Sequence, residues 1–299
     1  MRPDQIEPGQ IKPGQIKSVG IAGSGMMGAG IAEVAAKAGF EVIVRGRSES
    51  SAGAVLLRLD KSLAFQVDKG NLSRDEADET LGRVRTTTDL EDLELCGIVV
   101  ESVVEDLEVK RQLLRELDLI CGEETILATN TSTLPVIDLA MSTHRPDRVL
   151  GVHFFNPAPR MPLVEVVPAL TTSDGTVATA LQFALDLGKD PVTVKDNAGF
   201  IVNALLFPYL NNAVRMLESS IASKEDIDTA MRGGCGYPMG PLELLDLVGL
   251  DTSLAILQAL EEERHEPCCA PAPLLKRMVT AQHLGRKVGQ GFYTYPPTV

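Results

Sequence analysis

Four polar side chains stand in or beside apolar runs, and their types suit the chemistry of an alcohol. His153 closes one such run in Gly151-Val-His-Phe-Phe-Asn156-Pro, and Glu165 lies inside another, Leu163-Val-Glu-Val-Val167. A carboxylate in that setting needs a partner, because unpaired burial costs several kcal/mol. A His–Glu pair supplies one: the carboxylate fixes the imidazole tautomer and raises its basicity, which makes a general base. Ser132, in Asn130-Thr-Ser132-Thr ahead of a Pro-initiated helix, offers a hydroxyl to a substrate oxygen, with a helix N-cap as its plainer role. Asn203 is the sole polar side chain in Gly199-Phe-Ile-Val-Asn203-Ala-Leu-Leu-Phe. Its amide is suited to substrate or to His153 across an interdomain cleft, or else to tethering two helices.

Such a set oxidises an alcohol only beside a hydride acceptor, and Gly23-Ser-Gly25-Met26-Met27-Gly28 provides a place for one. It follows an apolar strand and opens a helix, the context in which G-x-G-x-x-G binds a dinucleotide. Gly23 permits the tight turn, Gly25 lets a pyrophosphate approach the backbone, and Gly28 lets helix and strand pack closely. An acid normally follows the second strand and holds the ribose 2'-hydroxyl of NAD. Here the strand runs into Arg45-Gly46-Arg47-Ser48, and the first carboxylate is Glu49. Two guanidiniums and a hydroxyl suit a 2'-phosphate, so the pattern favours NADP(H). The alternative is NAD(H), held by Glu49 or backbone groups beside solvated arginines.

Composition narrows the field from outside. A chain of 299 residues is long enough for two cores, and its 44% hydrophobic and 23% charged content is that of a globular protein. A formal charge of −13 opposes attraction to nucleic acid or anionic lipid. The N-terminal residues lack the apolar core of a signal peptide, and no apolar stretch of about 20 residues occurs, so no membrane role and a cytoplasmic location are expected. Five cysteines without a CxxC pair read as reduced thiols. Adjacent Cys268 and Cys269 read as plain thiols too, and no metal is expected.

The elements that must position these groups follow from periodicity. Residues 1–16, with Gln-Ile-Glu-Pro-Gly followed by Gln-Ile-Lys-Pro-Gly, read as a flexible tail. Residues 17–196 read as a Rossmann-type α/β domain with strands at 19–22, 41–44, 97–100, 126–129, 149–153, 163–167 and 192–194. A long amphipathic helix ends near Lys69, and Ser73 with Glu76 forms a capping box. Beyond Asp196 only helical patterns remain, at 200–219, 224–232, 242–248, 252–263 and 274–281, so residues 197–299 read as an all-α domain. His153 and Ser132 then fall at the carboxyl edge of the sheet, where open α/β folds bind ligands.

These residues resemble the 3-hydroxyacyl-CoA dehydrogenase family, above all its short bacterial 3-hydroxybutyryl-CoA dehydrogenases, from Lys17 to Tyr295. The blocks GSGMMGAGIAEVAAKAGFEV, VVESVVEDLEVKRQL, NTSTL, GVHFFNPAPRMPLVEVV, DNAGFIVNALL, GYPMGPLELLDLVGLD and GRKVGQGFYTY stand in family order. The resemblance implies a catalytic pair at His153 and Glu165, assisted by Ser132 and Asn203. It also implies nicotinamide-side contacts at Glu105, Lys110, Ser132, Asn156 and Lys287, and contacts to coenzyme A at Ser62 and Lys69. An acyl-CoA substrate and a homodimer through the helical domain follow from the same likeness. Three positions depart from the pattern: Gly46 for an Asp, Ala198 for a Pro, expected to loosen the hinge, and Ala204 for an Arg. Two other readings compete: a related dehydrogenase of a free hydroxy acid or sugar acid, and a cofactor-binding scaffold without turnover.

Overall fold

The computed structural model describes residues 16–296, so residues 1–15 of the expected tail lie outside it. Ile16 itself packs on the first core. The chain divides into two units, the first ending at Asp196 and the second beginning at Asn197.

Eight strands form the sheet of the first unit: β1 (Ser18–Ala22), β2 (Glu41–Arg45), β3 (Val84–Thr87), β4 (Ile98–Glu101), β5 (Ile126–Thr129), β6 (Val149–Phe154), β7 (Leu163–Pro168) and β8 (Asp190–Thr193). Their spatial order is β3-β2-β1-β4-β5-β6-β7-β8. From β3 to β6 all pairings are parallel, whereas β7 runs antiparallel to β6 and β8 parallel to β7. The chain order reverses between β1 and β4, which opens a crevice at the carboxyl ends of those two strands. Central strands such as β4 and β5 are buried along their whole length, as expected of a parallel sheet covered on both faces.

The helices of this unit are α1 (Met26–Lys37), α2 (Glu49–Asp68), α3 (Arg74–Gly82), α4 (Leu107–Ile120), α5 (Val136–Ala140) and α6 (Asp174–Asp186). Ser73 and Glu76 form the expected capping box at the start of α3. Asp106 caps α4 by accepting from Val109 N–H. Strand β3 was not legible in the pattern: in Val-Arg-Thr-Thr only Val84 is apolar, because an edge strand has one neighbour and a solvated side. The last strand begins at Asp190 rather than 192 and includes Pro191, which the parallel ladder tolerates at the opposite edge of the sheet.

The second unit holds α7 (Val202–Glu218), α8 (Lys224–Cys235), α9 (Pro241–Val248), α10 (Leu250–Arg264) and α11 (Pro273–Thr280). Its core gathers Phe207, Leu210 and Val214 of α7 with Leu242, Leu245, Leu257 and Leu260. Two buried acids organise its end. Asp228 accepts from the N–H groups of Leu242 and Glu243 and from Tyr293 Oη. Asp246 accepts from the N–H groups of Phe292 and Tyr293 and from Tyr295 Oη. A Cβ at Gly291 would lie 1.9 Å from the Asp246 carboxylate, so the terminal segment closes on this acid only with glycine there.

Candidate active site

The glycine turn meets steric demands that differ at each glycine. Gly23 has φ +143°, and a Cβ there would lie 2.3 Å from the carbonyl oxygen of Ser102, just past β4. At Gly28 a Cβ would stand 1.9 Å from the Gly23 carbonyl. Gly25 has nothing within 4 Å of its Cβ position, so its outer side is open to an approaching group. It precedes α1, whose first turn carries neither an acid nor a side-chain cap. The turn therefore presents unshielded N–H groups and helix-dipole charge beside an open backbone, which fits a dinucleotide pyrophosphate. Met26 is exposed, and Met27 packs partly buried against the core.

Beyond β2 the chain supplies positive groups. Arg45 Nε donates to the Thr88 carbonyl at 3.1 Å, and Arg47 is exposed. Ser48 caps α2: its hydroxyl accepts from Ser51 N–H at 3.2 Å. Gly46 is buried, and a Cβ there would lie 2.7 Å from Ala52 N and 2.8 Å from Ser51 Oγ. An acid at position 46 would thus displace the start of α2. Sequence reading missed Arg58, which crosses from α2 to donate to the Ser24 carbonyl at 2.8 Å. Nothing in its amphipathic surroundings marks it from other helix-surface arginines.

Next along the edge, Glu105 gathers donors from the Asn130–Thr133 turn. Its Oε1 accepts from Thr131 Oγ1 at 2.5 Å, Ser132 N–H at 2.8 Å and, more weakly, Ser132 Oγ at 3.4 Å. Lys110 Nζ lies 3.2 Å from Glu105 and 2.6 Å from Glu101. Burial alone would raise the Glu105 pKa, but the Lys110 charge and the bonds from Thr131 and Ser132 outweigh it and hold the carboxyl below its usual range. Glu101 and Lys110 are 0% and 1% exposed, and Glu101 also accepts from Val103 N–H and Thr129 Oγ1. Glu101 is a second residue the sequence reading missed, although it ends an apolar strand just as Glu165 lies in one.

His153 and Glu165 face each other directly across the antiparallel β6–β7 ladder. Their side chains meet at 2.7 Å, Nδ1 to Oε2, with Glu165 fully buried and His153 6% exposed. The Phe155 ring packs against the imidazole at a centroid distance of 4.5 Å. Asn130 Oδ1 accepts from Phe154 N–H at 2.8 Å, which ties the turn holding Ser132 to the strand holding His153. Glycine turn, Glu105–Lys110, Ser132 and the His–Glu pair thus share one sheet edge. Asn156 follows on the same edge and is exposed.

The family decides how this edge is read. Residues 18–197 match the 3-hydroxyacyl-CoA dehydrogenase NAD-binding domain, and residues 199–295 match the C-terminal domain of the same enzymes. The chain belongs to the 3-hydroxyacyl-CoA dehydrogenase family. A 3-hydroxybutyryl-CoA dehydrogenase of Mycobacterium tuberculosis is 48% identical over 267 residues, 89% of this chain and 93% of that one. One from Clostridioides difficile is 43% identical, over 89% of this chain and 94% of its own. Among solved structures, (S)-3-hydroxybutyryl-CoA dehydrogenase PaaH1 from Ralstonia eutropha superposes with a TM-score of 0.92 at 41% identity, covering 94% of this chain and 99% of that one. The chain is therefore a nicotinamide-dependent oxidoreductase of this family, and its Rossmann-type fold with a helical second unit is the family's fold.

The remaining expected site residues lie on other elements. Ser62 and Lys69 lie seven residues apart, on one face of α2 and just past its end, with Lys69 Nζ 5.6 Å from the Phe65 ring centroid. Helix α2 packs by β2 and β3, so this face is four strand spacings or more from β6, roughly 20 Å. Asn203 is 8% exposed in the first turn of α7. Lys287 pairs with both oxygens of Asp251 at 2.6 Å. Ala198 donates its N–H to both Glu263 oxygens at 3.0 Å, a bond that Pro could not make. Among the described residues no helix is long and apolar enough to cross a membrane.

Proposed function

We propose that this chain oxidises (S)-3-hydroxyacyl-CoA, with 3-hydroxybutyryl-CoA as a substrate, reversibly to the 3-ketoacyl-CoA. His153 is the general base. With Nδ1 engaged by Glu165, the imidazole takes the C3 hydroxyl proton through Nε2, and Glu165 stabilises the imidazolium that forms. A nicotinamide dinucleotide, its pyrophosphate held at the glycine turn, would supply the hydride acceptor. Ser132 and Asn203 hold the reacting oxygen. Glu105, Lys110, Asn156 and Lys287 shape the nicotinamide side, with Lys110 holding Glu105 against the Ser132 turn. Ser62 and Lys69 receive the distal part of coenzyme A, whose length suits a span of this order. In the reducing direction protonated His153 polarises the ketone and returns the proton.

NADP(H) is the favoured carrier in this proposal and NAD(H) the alternative. Position 46 carries no acid and has no room for a side chain, which supports assigning Arg45, Arg47 and Ser48 to a 2'-phosphate. The same proposal includes a homodimer through the helical unit, supported by exposed apolar side chains such as Leu205 on α7 and Leu247 on α9. A cytoplasmic setting accords with five free thiols.

The observation that carries the function is the His153–Glu165 pair on the edge that also holds the glycine turn. Initial rates over a chain-length series of 3-ketoacyl-CoAs, each with NADPH and with NADH, test it. Turnover of acetoacetyl-CoA is expected, with the larger kcat/KM for NADPH. No turnover with any thioester would sink the proposal, and a preference for NADH would overturn only the choice of carrier.

A further inference from the structure

Glu266, Cys268 and Cys269 belong to the connection between α10 and α11 and have no part in the proposed reaction. Their ligand atoms lie within 4.8 Å of one another. Cys268 Sγ is 3.9 Å from Cys269 Sγ and 3.6 Å from Glu266 Oε2. Tetrahedral zinc, with Zn–S about 2.3 Å and Zn–O about 2.0–2.2 Å, places two sulfurs about 3.8 Å apart and sulfur and oxygen about 3.6 Å apart. Both spacings are already present. The proline between Glu266 and Cys268 restricts the backbone that carries them.

The loop is also held from outside. Asn211, fully buried on α7, donates to the Cys268 and Ala270 carbonyls at 3.1 and 2.8 Å and accepts from Ala272 N–H at 2.8 Å. Arg215, one turn on, donates to the Pro267 and Ala270 carbonyls at 2.8 and 2.7 Å. These bonds fix the backbone on both sides of the cysteine pair, which is the role that outer hydrogen bonds play around metal centres. Cys269 is buried, Cys268 half-buried and Glu266 exposed, so an ion has a path in from the Glu266 side.

We propose that Glu266, Cys268 and Cys269 form a site for a thiophilic divalent cation of the zinc class, with its fourth position open to water. Binding replaces two S–H bonds by two metal–sulfur bonds and adds one metal–oxygen bond. The two protons pass to solvent and nothing is oxidised or reduced. The ion clips the α10–α11 connection and, through Asn211 and Arg215, the helix α7 on which it rests. This is a stabilising site and not a catalytic one.

Cobalt(II) added to the full chain under a phosphine reductant tests the site by absorbance. One equivalent per chain is expected to give a thiolate-to-cobalt charge-transfer band that zinc bleaches. Cys268→Ser and Cys269→Ser are each expected to weaken binding at least tenfold, and the double variant to lose the band. Glu266→Gln retains the band with weaker affinity, and Cys235→Ser, at an exposed thiol outside the site, leaves both unchanged. Zinc is expected to raise the Tm of the wild type and not that of Cys268→Ser. Because Cys269 is buried and its variant can misfold, half-buried Cys268 and exposed Glu266 decide the matter alone. A wild type without the band, or a band and Tm shift that survive Cys268→Ser unweakened, would overturn the site.

Discussion

At the scale of single residues, the edge of the sheet carries two buried acid–base pairs with different consequences when broken. Replacing His153 by Gln keeps the shape and removes the proposed base. Turnover is expected to fall roughly a hundredfold to ten-thousandfold while titration of cofactor fluorescence shows unchanged binding. Activity above about a tenth of wild type would contradict the base assignment. Lys110→Met instead leaves Glu101 buried without its cation, and stability should drop by about 3–5 kcal/mol. A urea midpoint shifted by the equivalent of less than 1 kcal/mol would show that water or Thr129 satisfies Glu101 alone. Arg47→Asp is expected to shift kcat/KM toward NAD, and an unchanged ratio between the two carriers would count against the 2'-phosphate reading.

At the scale of elements, sequence and structure agree where a side chain contradicts its surroundings and part where it blends in. A carboxylate inside Leu-Val-Glu-Val-Val announces a buried partner, so the contact between His153 and Glu165 was legible. Glu101 sits at the end of an equally apolar strand, but a strand end is also where acids are ordinarily solvated. Asp228 and Asp246 lie in helices whose polar faces hold other acids, and their burial depends on the terminal segment folding back over them. Strand β3 escaped because its pairing comes from β2 and not from its own pattern. At the first residues of the helical unit, Ala198→Pro would delete the N–H held by Glu263 and restore the family's usual residue. Since Glu263 is exposed and can rehydrate, the loss should be modest, about 1 kcal/mol by thermal unfolding. A gain in Tm would mean that the rigidity of proline outweighs the bond.

For the whole molecule, acid stability follows from carboxyls held ionised by their surroundings. Glu105 is depressed as described. Burial of Asp118 acts upward, but the N–H and ring of His144 and the Arg145 guanidinium outweigh it, so this carboxyl too lies below its ordinary value. A depressed carboxyl binds fewer protons folded than unfolded, so stability rises with pH across that range. The contribution is complete above the unfolded carboxylate pKa, about 4, and is lost as pH falls through the lower folded values. Asp246, raised by burial against its hydrogen bonds, acts with the opposite sign. Urea midpoints between pH 7 and 3 should therefore decline with acidification, and Asp118→Asn should flatten part of that decline. A profile independent of pH would show that the raised and lowered groups cancel.

The ladder between β6 and β7 has an implication for how such an enzyme can diversify. Because His153 and Glu165 are register partners, main-chain hydrogen bonding sets their spacing, and no loop has to be tuned to bring them together. Loops around the sheet edge can be lengthened, shortened or rewritten for new acyl chains while the pair proposed for proton transfer is inherited unchanged. A one-residue insertion within either strand, by contrast, would turn one of the two side chains to the opposite face and disable the enzyme in a single event.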